Sequence, residues 1–173
     1  ESPEEQVRLL ANADILGHNA EPSLAGLLVF GSQPQARLPN ACISWARFAG
    51  TDLDAELLDR QVLVGTLDAQ VDTALALLRA HQAEHSTIQG GTRELLTPVL
   101  PDKVLRELLV NAVVHRDYSI QGSRIRVFQF ADRLEVRSPG RLPNTVSPEK
   151  MLVGVSYSRS PVILKFMENM RYV

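Results

Sequence analysis

Residues 101–143 read PDKVLRELLVNAVVHRDYSIQGSRIRVFQFADRLEVRSPGRLP. This stretch decides the fold. Pro101 and Asp102 suit a helix start, because proline tolerates the first turn and an early carboxylate complements the helix dipole. Leu105, Leu108, Leu109, Ala112 and Val113 recur at helical spacing and predict one buried stripe. Lys103, Glu107, Asn111 and His115 recur every four residues, which places four polar groups on one ridge. Asn111 lies within the apolar run Leu-Leu-Val-Asn-Ala-Val-Val, and a buried asparagine needs partners that a ligand or ion can supply. After a turn at Ser119–Gly122, the segments Arg124–Phe130 and Leu134–Ser138 alternate polar and apolar residues about Ala131-Asp132-Arg133. They predict an antiparallel hairpin covering the helix, in an α/β sandwich.

Working outward toward the N-terminus, Leu67–Ala83 carries Leu67, Val71, Ala74, Leu75 and Leu78 on one helical face and joins the two halves of the chain. Its end, His81-Gln-Ala-Glu-His85, matches the H-x-x-E-H zinc-protease string but has no third ligand at a convincing position, so it reads as a solvated helix terminus. Ser86–Thr92 reads as a flexible link, and Arg93–Val99 as a short strand or extended lead-in. Pro3–Ala11 predicts a short helix capped by Ser2. Leu24–Phe30 is a continuous apolar run ended by Gly31 and predicts a buried strand. Ala41–Phe48 alternates, with Cys42, Ser44, Ala46 and Phe48 on one side and Ile43, Trp45 and Arg47 on the other. A third, short strand is expected around Gln61–Val64.

Toward the C-terminus, Ser147 and Pro148 open a short helix to Leu152. Gly154–Ser160 is a serine-rich loop, and Ser160-Pro161 caps a helix over Val162–Met170. A loop feeding a helix N-terminus suits an anion, with Arg159 placed to clamp an oxygen.

The 173 residues carry 20 acidic and 18 basic side chains, for a net charge of −2, so nucleic-acid binding would need a local patch. The single Cys42 excludes an internal disulfide framework and is compatible with a reducing cytoplasm. No apolar run reaches the roughly 18 residues that span a membrane. No Walker A string is present, so a P-loop motor is absent from this sequence. His115-Arg-Asp117 lacks the asparagine that a kinase catalytic loop places five residues later, where Gly122 stands. Its plainer role is to end the helix, with Asp117 pairing to Arg116 or Arg124.

Glu107-Leu-Leu-Val-Asn111-Ala resembles the E-x-x-x-N-A box of GHKL-type ATPases. The ordered set Asn111–Tyr118, Asp132–Val136, Ser138-Pro-Gly-Arg-Leu-Pro143 and Gly154–Pro161 resembles the divergent ATPase domain of bacterial RecG-related proteins, labelled helicases or transcriptional regulators. Pro22–Gly31 and Ala46–Asp52 resemble the end of a Schlafen-type, Alba-like domain. The resemblance implies an α+β fold in three parts: 1–66 from the Schlafen-type domain, 67–92 as connector, and 93–173 as a GHKL-like domain incomplete at its C-terminus. It implies ATP and Mg2+ as cofactors, Glu107 as the water-activating base and Asn111 as the magnesium ligand. His115, Arg116, Asp117, Ser138, Gly140, Ser158 and Arg159 would line the nucleotide. The sequence departs from the family pattern at D-x-G, where Ser138-Pro139-Gly140 retains the glycine without the carboxylate. Two other readings stay open. One is a non-catalytic sensing or dimerisation module of a transcriptional regulator, in which a homodimer is the partner. The other is a DNA-binding module with a basic surface from Arg47, Arg116, Arg124 and Arg126.

Overall fold

The structure is a computed structural model that describes residues 2–17, 19–82, 86–89, 92–95, 100–141 and 158–172. The expected helix at Ser147–Leu152 and the residues His85, Gly154 and Ser156 lie outside these. In chain order the elements are α1 (Pro3–Asn12), α2 (Leu24–Phe30), β1 (Ile43–Phe48), β2 (Leu57–Leu63), α3 (Leu67–Gln82), β3 (Ser86–Gln89), β4 (Thr92–Leu95), α4 (Asp102–Val114), β5 (Ile125–Gln129), β6 (Leu134–Arg137) and α5 (Pro161–Asn169).

Four strands form a mixed sheet in the order β2-β1-β5-β6. β1 pairs antiparallel with β2 and parallel with β5, and β5 pairs antiparallel with β6 about the expected Ala131–Arg133 turn. The parallel β1–β5 ladder joins the two halves of the chain, and the long connection through α3 and α4 lets it form. Alternation then sorts the side chains. Ile43 and Trp45 of β1 and Ile125 and Val127 of β5 point to one face, where each is at most 2% exposed. α3 contributes Val71, Ala74, Leu75 and Leu78 to the same core. α4 contributes Leu105, Leu109, Ala112 and Val113, and α5 contributes Ile163 and Met167. Full burial of one such side chain stabilises the fold by about 1.5–3 kcal/mol, so the helix layer holds to this face through many additive contacts. The architecture is an α+β sandwich: a mixed sheet with helices on one side.

α4 follows the expected stripe with one exchange. Leu108 is 39% exposed, and Val110 and Val114 are buried instead. The helix ends at Val114, with His115 as its cap donating its N–H to the Asn111 carbonyl. Two hydroxyls take up further carbonyls of the last turn: Tyr118 donates to Val113 at 2.8 Å and Ser138 to Ala112 at 2.8 Å. Helix ends leave such acceptors without intrahelical partners, so these two side chains complete the terminus.

Three expectations are corrected. Leu24–Phe30 is a helix, not a strand. Ser23 caps it by accepting the Gly26 N–H at 2.9 Å, and the run is mostly leucine and alanine, which favour helix when the start is capped. Gly26 lies inside this helix because any Cβ there would collide with the Ile15 carbonyl oxygen. The expected link at Ser86–Thr92 contains the strand β3, which pairs antiparallel with β4 and sets Ile88 opposite Arg93, so backbone pairing outweighed the polar composition; β4 itself falls largely in the short strand expected from Arg93 onward. The strand expected near Gln61 begins earlier, at Leu57, because it pairs along the whole length of β1.

Candidate functional site

The polar ridge of α4 faces outward. Lys103, Glu107 and Asn111 are exposed and His115 is partly buried. The burial expected for Asn111 is therefore corrected. The apolar neighbours in sequence occupy other faces of the helix, and the four-residue repeat was the better guide. Among the described residues neither the Glu107 carboxylate nor the Asn111 amide has a hydrogen bond or ion pair, so both side chains are available to a ligand.

Beyond the ridge, the chain makes a corner from three separate segments. The Asp117 N–H donates to the Pro139 carbonyl at 2.8 Å. Gly140 follows with φ +133°, and a Cβ at that position would stand 3.1 Å from the Asp117 Cβ. Glycine is needed there for both reasons. Arg159, just before α5, donates to the Asp117 carboxylate at 3.1 Å and to the Arg141 carbonyl. The other Asp117 oxygen accepts from the Ser119 hydroxyl at 2.6 Å and the Ser119 N–H at 3.1 Å. The Ser119 hydroxyl, the Ser119 N–H and then Arg159 hold the Asp117 carboxyl below its usual range. The partner expected for Asp117 was Arg116 or Arg124; it is Arg159, brought in across 42 positions of chain. An open cleft of about 350 Å³ lies here, lined by Leu24, Arg116, Asp117, Tyr118, Ser119, Arg159 and Ser160. Ser160, expected to cap α5, makes no side-chain cap bond, and the Ser158 hydroxyl is buried without a partner among the described residues.

Arg116 has a different role from its neighbours. It is 2% exposed, and its guanidinium donates to the carbonyls of Asn40 at 3.0 Å, Ile120 at 3.4 Å and Ser123 at 2.7 Å while lying 4.7 Å from the Tyr118 ring centroid. Burial lowers its pKa, yet a guanidinium keeps its charge inside proteins. It ties the end of α4 to the loop before β1.

The expected basic surface does not assemble as one patch. Arg47 points to the helix-covered side and meets His81 Nδ1 at 2.8 Å, while His81 stacks on Trp45 with centroids 5.2 Å apart. Arg116 is inside. Arg124 donates to the Asn40 side-chain oxygen at 2.9 Å, and Arg126 is exposed on the outer sheet face.

Ser138 stands where the D-x-G resemblance leads to the expectation of a carboxylate. Its hydroxyl proton is committed to Ala112, leaving lone pairs that accept but no charge. No local pattern marked Asp117 as the carboxylate beside Gly140. Among the described residues no group of three or more His, Cys, Asp or Glu side chains is placed to hold a metal ion. Magnesium does not require one, since it keeps several waters and takes few protein oxygens when phosphates are present. The free Asn111 amide oxygen, with Glu107 one turn away, fits that limited demand.

Residues 122–173 match the family model described as "Putative ATP-dependent DNA helicase recG C-terminal". The matched segment is thus similar to the ATPase-like part of RecG-related proteins. The fold is similar to a crystal structure of the DIP2311 protein from Corynebacterium diphtheriae, with a TM-score of 0.71 and 24% identity. That match covers 100% of this chain and 34% of the other, so this chain spans about a third of that protein's length. No curated protein matches. No described helix is long and apolar enough to cross a membrane.

Proposed function

We propose that the α4 ridge and the Ser138–Gly140 turn bind a magnesium nucleotide, in a RecG-related protein with an ATPase-like domain. One observation carries this reading: the Ser138 hydroxyl bonds the carbonyl of Ala112, the residue after Asn111. The turn of the family-matched segment is thereby fixed against the helix turn that presents Asn111. Glu107 and Asn111 are exposed and, among the described residues, uncommitted, as ligand groups must be before binding. Asn111 would hold Mg2+ through its amide oxygen, and the ion would neutralise phosphate charge. Glu107, one turn back on the same ridge, would orient a water and accept its proton. Gly140 leaves the backbone open to close approach, and Ser138 offers a neutral acceptor to the base. Asp117 holds Arg159 at the cleft, so a phosphate oxygen would compete with that carboxylate for the guanidinium.

The same reading keeps residues 1–66 as a Schlafen-type contribution, 67–92 as connector and 93–173 as the ATPase-like domain, within a cytoplasmic regulator or DNA-associated protein. These are divisions of sequence kinship, since β1 and β5 share one sheet. The test is equilibrium binding of a fluorescent ATP analogue with and without Mg2+, followed by phosphate release. Magnesium-dependent binding that Asn111→Ala abolishes, with turnover lost in Glu107→Gln, supports the reading. Binding indifferent to both variants contradicts it. A second reading, a sensing or dimerising module without turnover, is favoured by the missing carboxylate at Ser138. It predicts binding without phosphate release, or no nucleotide binding.

A further inference from the structure

The sheet has a second face, and its charge is unbalanced. Arg126 in β5 is the cross-strand partner of Arg137 in β6 and of Ser44 in β1, so these side chains share the face opposite Ile125 and Val127. Arg60 of β2 lies on the same face, opposite Ala46, which in turn pairs with Phe128. Like charges directly opposed on neighbouring strands are destabilising. Among the described residues one carboxylate offsets this group: Glu135 pairs with Arg137 at 2.6 Å and also with Arg133 at 2.7 Å. Arg126 is exposed and has no hydrogen bond or ion pair among the described residues. Arg124, immediately before β5, is held beside this group by Asn40. Arg137 lies 5.2 Å from the centroid of the partly buried Phe128 ring, which keeps its guanidinium over the sheet.

Arg137 has partners in Glu135 and Phe128, but Arg126 has none among the described residues, and its place opposite a like charge costs stability that a neutral residue would restore. A chain of phosphodiesters supplies the missing negative charge in a repeating form. Two guanidiniums opposed across strands, flanked by a third one strand step of about 6.6 Å along β5, suit successive phosphates better than a single anion. Among the described residues the face offers no helix to enter a duplex groove, whereas sheets with basic and aromatic side chains accept extended single strands. We propose that this outer face binds single-stranded nucleic acid through its backbone, with Arg126 and Arg137 as phosphate ligands and Arg124 beside them. The proposal uses none of the residues of the nucleotide reading, although Arg137 directly precedes Ser138.

The test is anisotropy of a labelled oligothymidylate against the purified protein over a salt series. Three phosphate contacts on a single strand give a slope of log affinity against log salt of about −2, and removing one contact reduces its size by about 0.7. Arg126→Ala and Arg137→Ala should each weaken binding and flatten the slope, and Arg126→Glu should weaken it most, with unchanged circular dichroism. Arg8→Ala, on the exposed α1, should change nothing. Absence of salt-dependent binding, or wild-type slopes in the Arg126 and Arg137 variants, overturns the proposal. Equal affinity and slope for a duplex of the same length overturns the single-strand assignment.

Discussion

The ridge of α4 and the corner at Asp117 lie side by side in sequence, yet their polar groups are used in opposite ways. At the corner nearly every group is committed: Asp117 accepts from Ser119 and Arg159, Ser138 donates to Ala112, and Arg116 serves three carbonyls. On the ridge Glu107 and Asn111 have no protein partner among the described residues. A committed polar group holds the backbone in place, and its loss leaves partners unsatisfied. An uncommitted exposed group contributes little to stability and remains free for chemistry. The contrast separates positioning residues from candidate ligand residues within a single motif.

The sharpest way to break this contrast is Arg116→Ala. It strips the donor from three carbonyls and removes the cation beside Tyr118, so a loss of about 3 kcal/mol is expected in urea unfolding. Arg116→Lys should recover only part of it, because an ammonium cannot reproduce the planar fork. A wild-type midpoint in Arg116→Ala would mean that the guanidinium is not structural. Next comes Gly140→Ala, which combines a positive φ with a crowded Cβ and should cost about 2 kcal/mol by the same measurement.

Asp117→Asn should give a smaller loss, and its pH dependence has a defined sign. The folded pKa lies below the unfolded one, so the contribution of the carboxylate is present above the ordinary carboxylate range. It is lost as pH falls through the lowered folded value. The midpoints of wild type and Asp117→Asn should therefore differ at neutral pH and converge in strong acid. A gap that persists unchanged in acid would show that the carboxylate charge is not responsible. The smallest effect belongs to the ridge: Glu107→Gln and Asn111→Ala should each move stability by less than about 0.5 kcal/mol. Larger losses would place these side chains among the structural groups.

Periodicity made α3, α4, β5 and β6 legible, because each has one apolar side and a polar remainder. It failed at Leu24–Phe30, where every residue is apolar or glycine and no period exists; the readable signal was Ser23 as a cap. At Asn111 two signals conflicted, and the ridge spacing was right where the apolar neighbours misled. The corner was largely invisible. The motif residues were recognisable, but the Asp117–Arg159 pair depends on the turn at Gly140 and on a contact 42 residues apart, which no local pattern encodes. The charge of the outer sheet face was half visible. Arg124 and Arg126 were read from the sequence, but Arg137 joined them only through the β5–β6 register.

The most direct test of the ridge as a nucleotide site is a calorimetric titration of Mg-ATP into the protein and into Asn111→Ala. Saturable heat from the first, lost in the variant while its unfolding midpoint stays at the wild-type value, is the expected result. Equal heats from both proteins, or none from either, would contradict the assignment of Asn111 and Glu107 to a magnesium-nucleotide site.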